Sequence, residues 1–158
     1  SRDRAAAMTE QMDVPPEGDE DAPDASAEPK TIPEAELEQM LDRHREWIES
    51  KGVDGEKANF HRAFLQDAYF QGADLRGANF SQASMHGAEL QNANLYRADL
   101  TQANLQHASL QKTNLREADM EGAHLIQANL QGADLRKANL QHADLRDADL
   151  LESRLQGG

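Results

Sequence analysis

The feature that most constrains this chain is a period of five residues that runs from residue 58 to residue 155 without an insertion or deletion. A large apolar residue occupies every fifth position from Phe60 to Leu155, and 18 of the 20 positions two residues earlier are alanine. Neither the 3.6-residue period of an α-helix nor the two-residue period of a strand divides this pattern. The sequence therefore predicts a repeat architecture in which the chain turns a corner every five residues.

Such a chain can bury one large and one very small side chain in each repeat, because every fifth residue faces the same way. Four sides close a coil of about twenty residues, and coils stacked at a strand spacing of ~4.8 Å hydrogen-bond to one another. The repeats would then build about five coils and a rod about 24 Å long. We expect an all-β solenoid, with the Asn or Asp beside each large residue helping to form the turns.

Two segments of different character precede the repeats. Residues 1–30 are rich in Pro, Gly, Ala and carboxylates, and they predict a disordered acidic tail or linker because they have almost nothing to bury. Residues 31–52 predict an amphipathic helix, since Thr31 and Glu34 form a capping-box pattern before an apolar stripe. The repeats and the turn before them form the third region, residues 53–158.

The repeats resemble those of a known family. The runs AYFQGADLRGANF and ANLQGADLRKANLQHADLRDADL are similar to the A(D/N)Lxx repeat of pentapeptide repeat proteins, over residues 58–155. The resemblance implies a right-handed quadrilateral β-helix, and the preceding helix resembles the caps at the N-terminal end of such rods. The family includes DNA mimics that protect or inhibit type II topoisomerases, bacterial effectors and many proteins of unknown role, so the fold alone does not give the function.

The apolar stripe of the predicted helix would cover the first coil. A helix this short is marginal alone and must dock on something. His44 lies on the stripe and is interpreted as an edge residue of that packing rather than a ligand. Two aromatic residues at normally polar, outward positions of the first coil are assigned to the docking surface. The predicted docking set is Leu37, Met40, Leu41, Trp47, Ile48, Phe64 and Tyr69.

Residues twenty apart would stack on one face of the rod, which allows the surface to be read as columns. The fourth face carries a basic column with an aromatic residue inside it, a combination that could hold a phosphate or a partner's carboxylates. Asp74, Glu117 and Asp134 lie on the same face and offset the charge, which favours a solvated, self-paired surface. The acidic tail could also fold back onto it. The candidate stripe is Arg76, Tyr96, Arg97, Arg116, Arg136 and Lys137.

The C-terminal end of the repeats carries no second cap in this sequence. The last coil contains Leu150, Leu151 and Leu155, and an open end exposes unpaired strand backbone and core leucines. End-to-end dimerisation, a continuation missing from this chain and a protein partner are the three alternatives. The outward position of Leu151 favours a contact surface.

Composition excludes several classes of function. The formal net charge is −13, but residues 57–158 carry 10 basic and 12 acidic side chains, so a basic footprint for nucleic acid is excluded. The absence of cysteine excludes disulfides and cysteine–zinc sites. No catalytic triad, phosphate-cradling loop or third ligand beside His86 and His107 is present, so no enzyme, cofactor or metal is expected. Without a signal peptide or membrane-spanning stretch in this chain, we expect a cytoplasmic protein.

The leading hypothesis is a non-enzymatic scaffold for protein–protein interaction, with a protein of unknown identity as partner and an end-to-end homodimer as one form of it. The resemblance implies a rival, a DNA-mimic modulator of a type II topoisomerase such as gyrase, but such mimicry needs a strongly negative surface. A passive spacer or assembly module of a larger protein is the third hypothesis.

Overall fold

The computed structural model describes residues 14–16 and 28–157. Three short elements lie at the start of the rod: strand β1 (Lys30–Thr31), helix α1 (Glu34–Glu49) and strand β2 (Ala63–Phe64). β1 runs parallel to β2, with Lys30 opposite Ala63 and Thr31 opposite Phe64. In this part of the chain, no helix is long and apolar enough to cross a membrane.

The repeats stack through parallel bridges between residues twenty apart. The first bridge joins Asn59 to Asn79 and the last joins Asp134 to Arg154, with one bridge every five residues between them. Backbone hydrogen bonds connect successive coils in the same steps, as where the Phe60 N–H donates to the Asn79 carbonyl over 2.6 Å. Each coil therefore has four sides and satisfies the backbone of its neighbours.

Each repeat turns its corner through a residue with a left-handed backbone. The second residue after each large apolar residue has a positive φ, for example 58° at Arg62 and 57° at Gln102. The next N–H closes the corner, as from Ala63 to the Phe60 carbonyl over 3.0 Å. Glycine fills six of the 20 corners, whereas each of the other fourteen residues adopts this conformation at a cost of roughly 1–2 kcal/mol.

The interior is one column of large side chains with alanines packed beside it. The large residues from Phe60 to Leu135 are buried, together with most of the alanines two residues before them. At the helix end, three phenyl rings contact one another with centroids 4.9 to 5.8 Å apart. These rings belong to Phe60, Phe70 and Phe80. Towards the other end the column becomes partly exposed, from Leu140 onward.

Helix α1 lies on the first coil, and it is shorter than the predicted segment 31–52. Trp47 and Ile48 are buried, whereas Leu37, Met40 and Leu41 are partly buried against the core. The capping-box prediction is wrong at Thr31. The N-cap is Pro33, without a side-chain hydrogen bond, because Thr31 pairs with β2 instead.

Part of the predicted acidic tail is packed. Pro15 is buried, and a Cβ built on Gly77 would lie 2.5 Å from Val14 Cγ1 and 3.7 Å from the Trp47 ring. This packing differs from a tail that has nothing to bury, because Val14 and Pro15 supply apolar surface. The rest of the tail prediction, residues 1–13 and 17–27, lies outside the described residues.

Candidate interaction surfaces

The joint between helix and rod is built around His44, which is fully buried. Its Nδ1 accepts a hydrogen bond from the Ala58 N–H over 3.0 Å, and its Nε2 donates to the Arg76 carbonyl over 2.9 Å. The ring is therefore neutral, with the proton on Nε2. Burial lowers the pKa of His44 from 6.5 to about 4, against the opposing effects of the Arg76 carbonyl and Asp74.

This arrangement corrects the interpretation of His44 as an edge residue. The ring joins α1 to two separate backbone positions of the rod and lies at the centre of the interface. The signal in the sequence is a polar residue in the middle of an apolar helical stripe. Such a residue must find hydrogen-bond partners when it is buried.

The predicted basic stripe contains internal ion pairs. Arg76 pairs with Asp74 and Arg136 with Asp134, at Nη2–Oδ2 distances of 2.7 and 2.6 Å. In each pair the two residues flank an inward leucine, so both side chains leave the rod on the same side. The hydrogen bond from Arg136 lowers the pKa of Asp134. These arginines therefore offer a partner less charge than the sequence alone indicates.

The middle of the stripe is a cluster around a buried tyrosine. The Tyr96 hydroxyl donates to Glu117 Oε2 over 2.7 Å, and this bond lowers the pKa of Glu117. Arg97 lies 5.5 Å from the Tyr96 ring centroid and 3.4 Å from Glu117 Oε1. Among the described residues, Arg116 and Lys137 are the stripe members whose side chains have no hydrogen bond or ion pair. Tyr96 and Arg97 are thus joined through Glu117, whereas the charged groups of Arg116 and Lys137 are available to a partner.

A groove runs along the seam between α1 and the first coil, and we call it the seam groove. It consists of two adjoining cavities of about 370 and 390 Å³, both lined by Glu38 and Leu41. Phe64 and Tyr69 border the first cavity and are 41% and 62% exposed. The helix therefore does not cover these two aromatic side chains, although they line the same cavity as Leu37 and Leu41.

The opposite end of the rod exposes apolar side chains and free backbone donors. Leu151 is 64% and Leu155 47% exposed, while Leu150 is partly buried. Earlier in the rod, the N–H of each large residue donates to the next coil, as from Leu130 to the Asp149 carbonyl over 2.8 Å. Within the described residues, the N–H groups of Leu140, Leu145 and Leu150 have no such partner.

The histidine and carboxylate side chains of the described residues do not form a metal-binding cluster. In residues 14–16 and 28–157, no group of three or more His, Asp or Glu side chains is placed to hold a metal ion. The rings of His86 and His107 do meet edge to face, with centroids 5.2 Å apart. Two imidazoles are fewer side-chain ligands than protein zinc sites use.

The model of the pentapeptide repeat family matches this chain in 8 copies, over residues 63–102, 98–136 and 113–150. The chain belongs to the pentapeptide repeat family. Members of this family fold as right-handed quadrilateral β-helices, which gives the four-sided coils their handedness. The family and its structural neighbours are generally structural or interaction proteins rather than enzymes.

Solved structures of other pentapeptide repeat proteins are similar to this chain. Rfr23 from the cyanobacterium Cyanothece 51142 is 28% identical, with a TM-score of 0.50 over 66% of this chain and 64% of Rfr23. HetL from Nostoc sp. PCC 7120, involved in heterocyst differentiation regulation, is 30% identical, with a TM-score of 0.44 over 63% of this chain and 58% of HetL. Trypsin-treated QnrB1, a plasmid-mediated fluoroquinolone resistance protein, is 26% identical, with a TM-score of 0.38 over 63% of this chain and 65% of QnrB1. The match spans less than two thirds of the length of each of these proteins. None of the curated proteins matches the chain.

Proposed function

We propose that this pentapeptide repeat protein is a non-enzymatic scaffold that binds a protein partner through the C-terminal end of its rod. The observation that carries the proposal is the exposure of Leu151 and Leu155 beside the free N–H groups of the last coil. Exposed leucines next to unpaired strand donors form a surface that another chain can extend by strand addition. A second copy of the rod offers the same surface and is the first partner to test.

Light scattering after size exclusion on the full chain tests this proposal. We expect a dimer that the substitution Leu151→Glu converts to a monomer, because a carboxylate cannot be buried unpaired in an apolar contact. The matched control is Val53→Glu, since Val53 is 82% exposed but lies outside this end of the rod. If the wild-type chain is a monomer, the same pair of variants is compared in affinity capture from a cell lysate. Equal behaviour of the two variants in both measurements contradicts the proposal.

The basic stripe would be a second surface through which the scaffold contacts an acidic partner. Arg116 and Lys137 are its members with open charges, whereas Arg136 is held by Asp134. Charge reversal at Arg116 and Lys137 is expected to weaken capture of an acidic partner, and reversal at the paired Arg136 is the comparison. Unchanged capture in all variants leaves the stripe as a solvated surface.

DNA mimicry of a topoisomerase is the rival hypothesis, and the charge of the rod argues against it. Residues 57–158 carry 10 basic and 12 acidic side chains, and arginines pair with Asp74, Asp134 and Asp144. A gyrase supercoiling assay with excess protein, with and without a quinolone, should show neither inhibition nor protection. Either effect would favour the rival.

A further inference from the structure

The seam groove contains an unpaired strand edge at Tyr69. Tyr69 bridges to Glu89 in the second coil, and the Glu89 N–H donates to the Ala68 carbonyl over 2.9 Å. On its other side, neither the N–H nor the carbonyl of Tyr69 has a backbone hydrogen bond within the described residues. Free strand edges of this kind are sites at which an extended segment can add.

The adjacent side of the same coil shows how such an edge is filled. β1 lies parallel to β2, and the Lys30 N–H donates to the Arg62 carbonyl over 3.4 Å. There the added strand comes from the chain itself. One side further round the coil, at Tyr69, no strand among the described residues takes the equivalent position.

The lining of the groove gives the chemistry of the segment that would fit. The apolar side chains of the cavity of about 370 Å³ include Leu37 and Leu41, and its aromatic side chains are Phe64 and Tyr69. Its charged lining residues are Glu34, Glu38 and Asp67, and no basic side chain lines it in the described part of the chain. In the adjoining cavity, Arg45 is already paired with Asp42 over 3.1 Å. The groove is therefore apolar inside and acidic at its rim.

We propose that the seam groove binds an extended segment of a partner protein in which apolar and basic side chains alternate. The segment would add as a strand to the Tyr69 edge, with alternate side chains pointing to opposite faces. Its apolar residues would pack against Leu41 and Phe64, and its basic residues would pair with Glu34 and Glu38. The chain's own residues 1–29 are unsuited, since they carry nine acidic and two basic side chains and the rim would repel them.

This site adds a second contact to the proposed scaffold, at the other end of the rod, and the two are tested separately. Loss of peptide binding at the seam groove leaves dimerisation or capture through Leu151 unchanged. Loss of the Leu151 contact likewise leaves peptide binding unchanged.

The probe is a fluorescein-labelled heptapeptide of alternating lysine and valine, titrated against the full chain by fluorescence anisotropy at low salt. Two control peptides have the same length: one carries glutamate in place of lysine, and the other is N-methylated at alternate backbone amides. We expect the lysine peptide to bind at least about tenfold more tightly than either control, because charge and strand hydrogen bonds both contribute. Equal binding of the acidic or the N-methylated peptide overturns the proposal, as does no binding at about 1 mM.

Matched variants of the same helix locate the binding. The double substitution Glu34→Gln and Glu38→Gln should weaken binding about tenfold. The control is Glu46→Gln with Glu49→Gln, two exposed residues of α1 that do not line the groove, and it should change the affinity less than about twofold. Equal loss in the two double variants overturns the location.

Hydrogen exchange at single amides reports strand addition directly. The Tyr69 amide should exchange at least about tenfold more slowly at saturating lysine peptide, whereas the Leu150 amide at the opposite end should not change. A bound peptide that leaves the exchange of Tyr69 unaltered contradicts addition at this edge.

Discussion

The two ends of the rod expose their last coils to very different degrees. At the N-terminal end, Trp47 and Ile48 of helix α1 are buried, Leu37, Met40 and Leu41 pack against the core, and β1 pairs with one strand edge. At the other end, Leu155 is 47% exposed and the large residues from Leu140 onward are only partly buried. Because each coil of a solenoid contacts only its neighbours, a coil with one partner is less stable than a coil with two. Local unfolding should therefore begin at the C-terminal end.

The largest expected effect is the removal of the cap's main side chain. Trp47→Ala should lower the free energy of unfolding by about 3–5 kcal/mol, because it opens a cavity over the first coil. Leu155→Ala at the open end should cost about 1 kcal/mol, since roughly half of that side chain is already exposed. Urea unfolding followed by circular dichroism measures both. Equal losses would show that the two ends do not differ as described.

The next effect is a pH dependence confined to the capped end. His44 has a folded pKa of about 4 against 6.5 when exposed, so the neutral ring stabilises the fold fully above pH 6.5. This stability is lost as the pH falls from 6.5 towards 4, by about 2 kcal/mol at pH 5. The charged groups that act on the ring are Asp74, which opposes the lowering, and Arg76 and Lys57, which add to it.

Urea unfolding at several pH values between 7.5 and 4.5 measures this dependence. The control His44→Gln should be less stable at pH 7.5 and should lack the decline between pH 6.5 and 4.5. The aspartates with lowered pKa, such as Asp134, have an ordinary pKa of 3.8, and Glu117 has one of 4.5. Their contributions are lost only from the lower end of this window downward, and they remain in the His44→Gln variant. A variant with the wild-type slope would assign the pH dependence to another group.

The same alanine-to-leucine substitution, made once in the middle of the rod and once in its last coil, tests how tightly the interior is packed at the two places. Ala103 is fully buried, so Ala103→Leu should overpack the interior and cost about 1–3 kcal/mol. Ala148→Leu in the partly exposed last coil should cost well under about 1 kcal/mol, because the coil can relax into solvent. Thermal unfolding of both variants provides the comparison. An unchanged melting temperature for Ala103→Leu would contradict the inward position of that alanine.

The smallest effect concerns the segment packed beside the cap. Gly72 and Gly77 both have a φ of 71°, so alanine at either position costs about 1 kcal/mol of backbone strain. A Cβ at Gly72 meets nothing within 4 Å, whereas one at Gly77 meets Val14 at 2.5 Å. Gly77→Ala should therefore lower the free energy of unfolding more than Gly72→Ala does, because only the alanine at position 77 collides with Val14. In a Val14→Gly background this difference should disappear, and its persistence would exclude the Val14 contact as the cause.

The repeats were predictable from sequence because each one is specified locally. The large residues from Phe60 to Leu150 and most of the alanines two positions before them belong to the core, and the family match bears out the pentapeptide interpretation. The Asp74–Arg76 and Asp134–Arg136 ion pairs were predictable in the same way, since the two residues of each pair flank one inward leucine, whereas Arg97 pairs with Glu117 on the next coil. A contact between residues of the same repeat can be predicted from the five residues of that repeat alone.

The contacts between helix and rod were not predictable to the same degree. Thr31 matches a helix cap locally, but pairing with Phe64 places it in a strand. His44 is held by the backbone of Ala58 and Arg76, and nothing along the helix indicates which rod atoms it meets. The exposure of Tyr69 depends on how closely α1 approaches the coil. Such features arise from the relative placement of two elements, which a periodic pattern does not encode.

The bridges between residues twenty apart have a consequence for how this rod can change in length. Deleting one five-residue repeat would preserve the inward pattern, but it would rotate every later side chain by a quarter of a turn about the axis. If the deleted repeat lay between Arg97 and Glu117, these two residues would no longer stand one above the other, although the coils would still stack. Length is thus free to vary in units of one repeat, whereas an alignment of outward side chains survives only changes of a whole coil. A partner that contacts outward side chains of two different coils at once would therefore tolerate insertions or deletions in the rod between them only in multiples of twenty residues.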